Sequence, residues 1–187
     1  PETEYAPFEC VVWDLIGPFR TRSIGGAQYS HDGVDKGSKL RFVYPVVDKS
    51  APTFVEVLKQ FIALIGQIPG EFVLKIVRAD QGSDYTSNHV KKFLNDKGIR
   101  LQLAAVHTPH QIRAAEVNHA ILNSTMRAIM GLANAPRVVW ALARQYAAVL
   151  NNLLATKYNT PGVFVPMHKL GITCLLYTSD AADDETS

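Results

Sequence analysis

The chain has 187 residues, 47% hydrophobic and 19% charged, with a formal net charge of +2. That balance describes one globular domain with its own core and excludes a disordered or fibrous protein. The small positive excess permits contact with a polyanion without demanding it. Two cysteines exclude a disulfide framework or a cysteine zinc site, and no apolar run reaches the ~20 residues that would span a bilayer, so no membrane partner is expected.

Residues 174–187, opening Cys174-Leu175-Leu176-Tyr177-Thr178-Ser179, read as a translated sequencing adapter, which leaves a domain over 1–173 expected to be cut at both ends. One thiol, Cys10, then remains, which points to a reducing compartment. From the N-terminus, residues 9–16 form an apolar run that predicts a buried strand, ended by Gly17-Pro18, with a turn at Gly25-Gly26. Residues 27–34 make a poor strand, because Ser30, His31, Asp32 and Gly33 break the pattern. After Asp35-Lys36-Gly37, the run Lys39 to Val47 predicts a strong strand, and the three together an antiparallel meander. Pro52, with Thr53 and Glu56 as a capping box, starts a helix whose Phe54, Val57, Leu58, Phe61, Leu64 and Ile65 share one face. A strand over 72–79, a helix from the Ser87 cap to Lys97 with Gly98 as its stop, and a short strand from Ile99 to Leu103 follow. A loop over 104–113 precedes a helix from about Ala114 to Ala133, and Ala135-Pro136 separates it from a last helix over about 138–156. The order βββ-α-β-α-β-α-α is that of an α/β layer fold with a mixed five-stranded sheet flanked by helices.

Three acids stand where this order can bring them together: Asp14 in the first strand, Asp80 at the end of the fourth, and Glu116 at the start of a helix. Two Mg²⁺ ions about 3.5–4 Å apart activate an oxygen nucleophile and stabilise the leaving oxygen of an in-line displacement. Mg²⁺ takes hard oxygen ligands and keeps several waters, so a few carboxylates suffice. Without a cation, such carboxylates repel one another and at least one is pushed toward its neutral form. Each acid also has a plainer reading. Asp80 before Gly82 suits a turn, Glu116 suits a helix N-terminus, and only Asp14, inside an apolar run, lacks an easy alternative.

The surroundings of these acids resemble the integrase catalytic core of copia-type retrotransposons, in the retroviral integrase superfamily. The pieces are Asp14-x-x-Gly17-Pro18-Phe19, Gly25-Gly26-x-x-Tyr29, Asp35 before Phe42-Val43-Tyr44-Pro45, and Arg78-x-Asp80-x-Gly82-Ser83-x-Tyr85-x-Ser87. Phe93-Leu94, Gly98-Ile99, Thr108-Pro109-x-Gln111, Ala115-Glu116, Arg127-Ala128-Ile129-Met130, Trp140, Ala147 and Asn151 continue the series over roughly residues 5–170. The resemblance implies an RNase H-like fold, with Asp14, Asp80 and Glu116 as catalytic metal ligands for Mg²⁺, for which Mn²⁺ substitutes. It also implies trimming of element DNA ends and transfer of the new 3′ hydroxyls into target DNA. Partners would be element and target DNA, further copies of the chain, and other domains of a Gag-Pol-type polyprotein. The reaction would take place in the nucleus, after a cytoplasmic virus-like particle. His110, Gln111, Arg113, Lys91 and Lys92 are the candidate DNA contacts. Departures from the family pattern are Gln81, Asp84, Ile112-Arg113 in place of Asn-Gly, and Val117 in place of Arg. They keep two other readings open: a catalytically decayed DNA-binding or assembly module, and an RNase H-like metal nuclease.

Overall fold

The structure is a computed structural model that describes residues 4–104, 109–154, 156–157, 163–164 and 166–170, the side chains of 109–114, 156–157, 163–164 and 168 excepted. The adapter-like segment 174–187 thus lies outside the described residues. Five strands form one mixed sheet in the order β3-β2-β1-β4-β5: β1 Cys10–Ile16, β2 Tyr29–Asp35, β3 Arg41–Val46, β4 Ile76–Ala79 and β5 Arg100–Leu103. The first three pair antiparallel as the meander expected, while β4 and β5 run parallel to β1. Helices α1 Ala51–Gln67, α2 Ser83–Thr86 and α3 Asn88–Asp96 precede α4 Pro109–Leu132 and α5 Trp140–Leu153. A short pair, β6 Thr156–Lys157 with β7 Val163–Phe164, comes last.

Alternation along β1 builds both layers. Val11 and Trp13 face α1, where the Trp13 ring meets Phe61 edge-on at 5.2 Å and Phe54 at 5.9 Å. Removing either phenylalanine ring from such a site costs about 3–5 kcal/mol. Val12 faces the other way, packing with Val34 of β2 and Ala115 of α4. Asp14 shares the parity of Val12, so the strand alternation itself turns this acid toward α4.

Local detail differs from the sequence expectation in several places. The poor strand at 27–34 is β2, bonded on both sides within the sheet. Its polar side chains are buried and partly satisfied: Ser30 donates to Asp32 at 2.6 Å, and Ser38 donates to Asp35 through both its N–H and its hydroxyl, each at 2.6 Å, whereas His31 Nε2 and Asp35 Oδ1 have no partner among the described residues. These short-range bonds, together with a guanidinium from α5 on Asp32, offset part of the penalty that the alternation pattern had counted. Strand β3 is shorter than 39–47, and β4 begins only at Ile76. The cap of α1 is Ser50, whose hydroxyl accepts from Thr53 N–H, so Thr53 and Glu56 form no capping box. The one-turn helix α2 went unpredicted, and α4 starts at Pro109, well before Ala114. After Pro136 the chain makes a 3-10 turn, Arg137–Val139, before α5, which ends at Leu153. Trp140 is core, whereas Leu142, Tyr146 and Val149 are exposed on α5.

Candidate active site

The parallel pairing of β1 with β4 sets Val12 opposite Arg78. Two residues further on, Asp14 and Asp80 leave neighbouring strands, which lie about 4.8 Å apart. Both line one small pocket of about 60 Å³, closed by Ala79, Ala104 and Ala115. Asp14 is half-buried and Asp80 exposed. Burial, then the charges of Asp80 and Asp32, push the Asp14 carboxyl up to about 6. Asp80 also makes the plainer turn, its Oδ1 accepting from Gly82 N–H at 2.8 Å.

Glu116 follows the pocket wall Ala115 on α4 and is exposed, but it does not itself line the pocket. Among the described residues, no three His, Cys, Asp or Glu side chains are gathered closely enough to hold a metal ion. The structure therefore brings Asp14 and Asp80 together and leaves Glu116 at the rim. Of the candidate DNA contacts, Lys91 and Lys92 are exposed on α3 and take no part in the pocket. His110, Gln111 and Arg113 lie in the first turns of α4, and their side chains are outside the described residues.

A third acid missed as a site residue is close by. An added Cβ at Gly82 would lie 2.6 Å from Asp84 Oδ1 and 2.9 Å from Asp80 Oδ1, so the two carboxyls flank this glycine. Asp84 is buried, its Oδ2 has no hydrogen-bond partner, and burial followed by the Asp80 charge raises its pKa. Asp14 and Asp80 share the pocket, and Asp84, with its orphaned carboxyl oxygen, lies against Asp80 across Gly82; carboxyl oxygens are the hard ligands that a divalent cation takes.

Beneath the site runs a buried ionic network that the sequence did not reveal. Asp32, the β2 partner of Asp14 in register, pairs with Arg144 of α5, both side chains essentially inaccessible. Arg144 Nε donates to Asp32 Oδ2 at 3.1 Å, and Nη1 donates to Asn123 Oδ1 at 2.7 Å. Asn123 Nδ2 meets His119 Nε2 at 2.7 Å, which makes that nitrogen the acceptor of a neutral ring. Burial, and then Arg144, lower the His119 pKa. His119 is one turn beyond Glu116, so the network ties the helix that carries Glu116 to the strands beneath Asp14. The available signal was a lone Arg among Ala141, Ala143, Ala147 and Ala148 on a buried helix face.

The integrase core domain family matches residues 4–109. A retrovirus-related Pol polyprotein from transposon TNT 1-94 of Nicotiana tabacum is 29% identical over 144 residues, covering 77% of this chain and 11% of that protein. A truncated transposon Ty1-A Gag-Pol polyprotein of Saccharomyces cerevisiae is 26% identical over 155 residues, covering 83% and 13%. The chain thus spans about an eighth of the length of these relatives. Among solved structures, the catalytic core of BIV integrase superposes with TM-score 0.63 at 17% identity, over 86% of this chain and 92% of that one. The simian T-cell lymphotropic virus intasome gives 0.71 at 16% over 97% and 61%, and the HTLV-2 integrase core in complex with magnesium gives 0.64 at 15% over 84% and 93%. At these identities the likeness establishes the fold, a five-stranded α/β sheet shared with retroviral integrase cores.

Proposed function

Because the chain belongs to the integrase core domain family, we propose that it is the catalytic core of a copia-type retroelement integrase, a polynucleotidyl transferase for element DNA. The observation that carries this reading is the Asp14–Asp80 pair on parallel neighbours, Asp14 within β1 and Asp80 just past β4, with burial and then the charges of Asp80 and Asp32 pushing Asp14 up to about 6. The neighbouring cation, Arg144, is committed to Asp32. Asp14 and Asp80 would hold Mg²⁺ or Mn²⁺, with Glu116 joining from α4. When bound, the metal supplies charge stabilisation at the scissile phosphate and lowers the pKa of an attacking oxygen.

The chain's own residues then have distinct tasks. Asp14 is held by its pairing with Asp32 of β2, two residues beyond the last β1–β4 pair at Val12. Asp80 is held by its turn through Gly82. Glu116 is carried on a helix fixed by the His119–Asn123–Arg144 network. In end processing, water displaces a 3′ oxygen from phosphorus and a free 3′ hydroxyl remains. In strand transfer that hydroxyl attacks a target phosphodiester, forming one ester as another breaks, so no covalent enzyme intermediate is required. DNA ends and target DNA are the substrates, further copies of the chain and the remaining Gag-Pol segments the partners. A virus-like particle and then the nucleus are the settings.

The rim position of Glu116 favours a second reading, a decayed module that binds DNA without turnover. Resolution of a branched DNA by residues 1–173 in Mg²⁺ or Mn²⁺, lost in Glu116→Gln, supports the transferase. A folded protein that yields no product supports the decayed module, and cleavage without joining supports a metal nuclease.

A further inference from the structure

The distribution of acids and arginines carries information that the carboxylate site does not use. No Asp or Glu occurs between Asp14 and Asp32, nor between Glu116 and Asp180. The described parts of these stretches hold Arg20, Arg22, Arg127, Arg137 and Arg144. Arg144 is buried on Asp32. The other four are exposed, and none makes a hydrogen bond or ion pair among the described residues. Elsewhere some cations are paired, Lys59 with Glu56, Lys75 with Glu9, and Arg78 with Gln102 and Tyr5, while others, Lys91 and Lys92 among them, have no partner among the described residues; what sets the four arginines apart is the acid-free surroundings.

Folding joins the two acid-free stretches. Ile24 N–H donates to the Val138 carbonyl at 2.7 Å, Trp140 Nε1 donates to the Thr21 carbonyl at 2.8 Å, and Phe19 stacks on Trp140 at 3.9 Å. Arg20 and Arg22 flank Thr21, and Arg137 adjoins Val138, so these contacts bring three exposed arginines to one edge. Arg127 leads toward them from the site. It lies about three turns beyond Glu116 on the same stripe of α4, or about 16 Å along the axis. Its neighbours Met126 and Met130 pack in the cluster that holds Phe19 and Trp140. The acids nearest in sequence after β2, Asp48 of the β3–α1 turn and Glu56 of α1, are both engaged: Asp48 by Ser50 and Thr53, Glu56 by Lys59. Like charges gathered without partners gain nothing from the fold. A polyanion supplies what they lack, and about 16 Å matches roughly five phosphates of one DNA strand at about 3.4 Å each.

The geometry points to a second contact surface: the face formed by Arg20, Arg22, Arg127 and Arg137 holds the phosphate backbone of a DNA duplex beside the carboxylate site, without reading bases. It rests on the proposed function for the choice of DNA, and it adds residues from the β1–β2 loop and the α4–α5 junction to a contact set previously confined to α3 and the start of α4.

The test is duplex binding by the full chain, measured as fluorescence anisotropy in EDTA over a salt series. It compares wild type with a variant carrying Arg20→Gln, Arg22→Gln, Arg127→Gln and Arg137→Gln, with Lys91→Gln/Lys92→Gln as control. Each lost phosphate contact lowers the slope of log affinity against log salt by about 0.9, so the four-site variant should lose about 3.6 in slope and at least about tenfold in affinity near 0.1 M salt, more than the lysine pair. Unchanged slope and affinity in a folded four-site variant would overturn the proposal, as would a wild type that binds no duplex. Equal or tighter binding of single-stranded RNA or anionic vesicles, lost in the same variant, would overturn the assignment to DNA. Because no turnover is read, a face that binds in a chain that cannot resolve branched DNA refutes the transferase reading and leaves this one standing.

Discussion

Cutting the Asp32–Arg144 pair at one end should be far more damaging than removing both ends. Arg144→Met leaves Asp32 charged in a site where both side chains are essentially inaccessible, and orphaned buried charges of this kind cost about 3–5 kcal/mol. It also leaves Asn123 Oδ1 without its donor at 2.7 Å, worth about 1–3 kcal/mol if no water replaces it. Asp32→Val combined with Arg144→Met removes the charge problem but not the Asn123 one. The double variant should therefore regain about 2 kcal/mol or more over Arg144→Met alone. Urea unfolding at pH 7 of wild type, both single variants and the double gives the coupling directly. Strictly additive losses, or a loss below about 1 kcal/mol in Arg144→Met, would refute the claim that this ion pair is buried and tightly coupled.

Three further outcomes follow from the same geometry. Burial pushes His31 down to about 4, so between about 6.5 and 4 the unfolded chain binds a proton that the folded chain refuses. Stability should fall across that window as pH drops, by at most about 3 kcal/mol, and His31→Phe should flatten the dependence in urea titrations; an unchanged dependence would locate the acid sensitivity elsewhere. Asp14 runs the other way: its pKa is raised to about 6, so the metal-free fold loses stability as pH rises from about 4 to 6. Asp14→Asn should thus raise Tm in EDTA at pH 7 while abolishing any rise on adding Mg²⁺, and a lower Tm in EDTA would contradict the argument that burial and neighbouring charges penalise this carboxylate. Finally, Gly82→Ala places a methyl 2.6 Å from Asp84 Oδ1 and 2.9 Å from Asp80 Oδ1. Displacing carboxylates by about 1 Å is expected to lower turnover on branched DNA about a hundredfold, with little change in Tm; wild-type turnover would show that the carboxylates tolerate the shift.

The sequence made the frame legible because its apolar periods agree with the final layers. The apolar run over 9–16 already marked a buried strand carrying Asp14, and the apolar run ending at Ala79 already placed Asp80 at a strand end. What stayed hidden depended on partners remote in sequence. Strand β2 looked too polar because Asp32 meets Arg144, 112 residues further on, only once the chain folds, and because alternation does not register the local pairs Ser30–Asp32 and Asp35–Ser38. Asp84 read as a variant residue in a motif, although its packing beside Gly82 puts it against Asp80. The relation of Glu116 to the other acids was the least legible feature, since it depends on where α4 starts and how it lies across β1 and β2. Spacing along the chain specifies neither.

The measurement closest to the central claim is calorimetric titration of Mn²⁺ into the full chain at pH 7, repeated for Asp14→Asn and Asp80→Asn. A metal seat built on this pair predicts saturable binding in the wild type that is lost in each variant while both remain folded. No binding by the wild type, or equal binding by both variants, would contradict it.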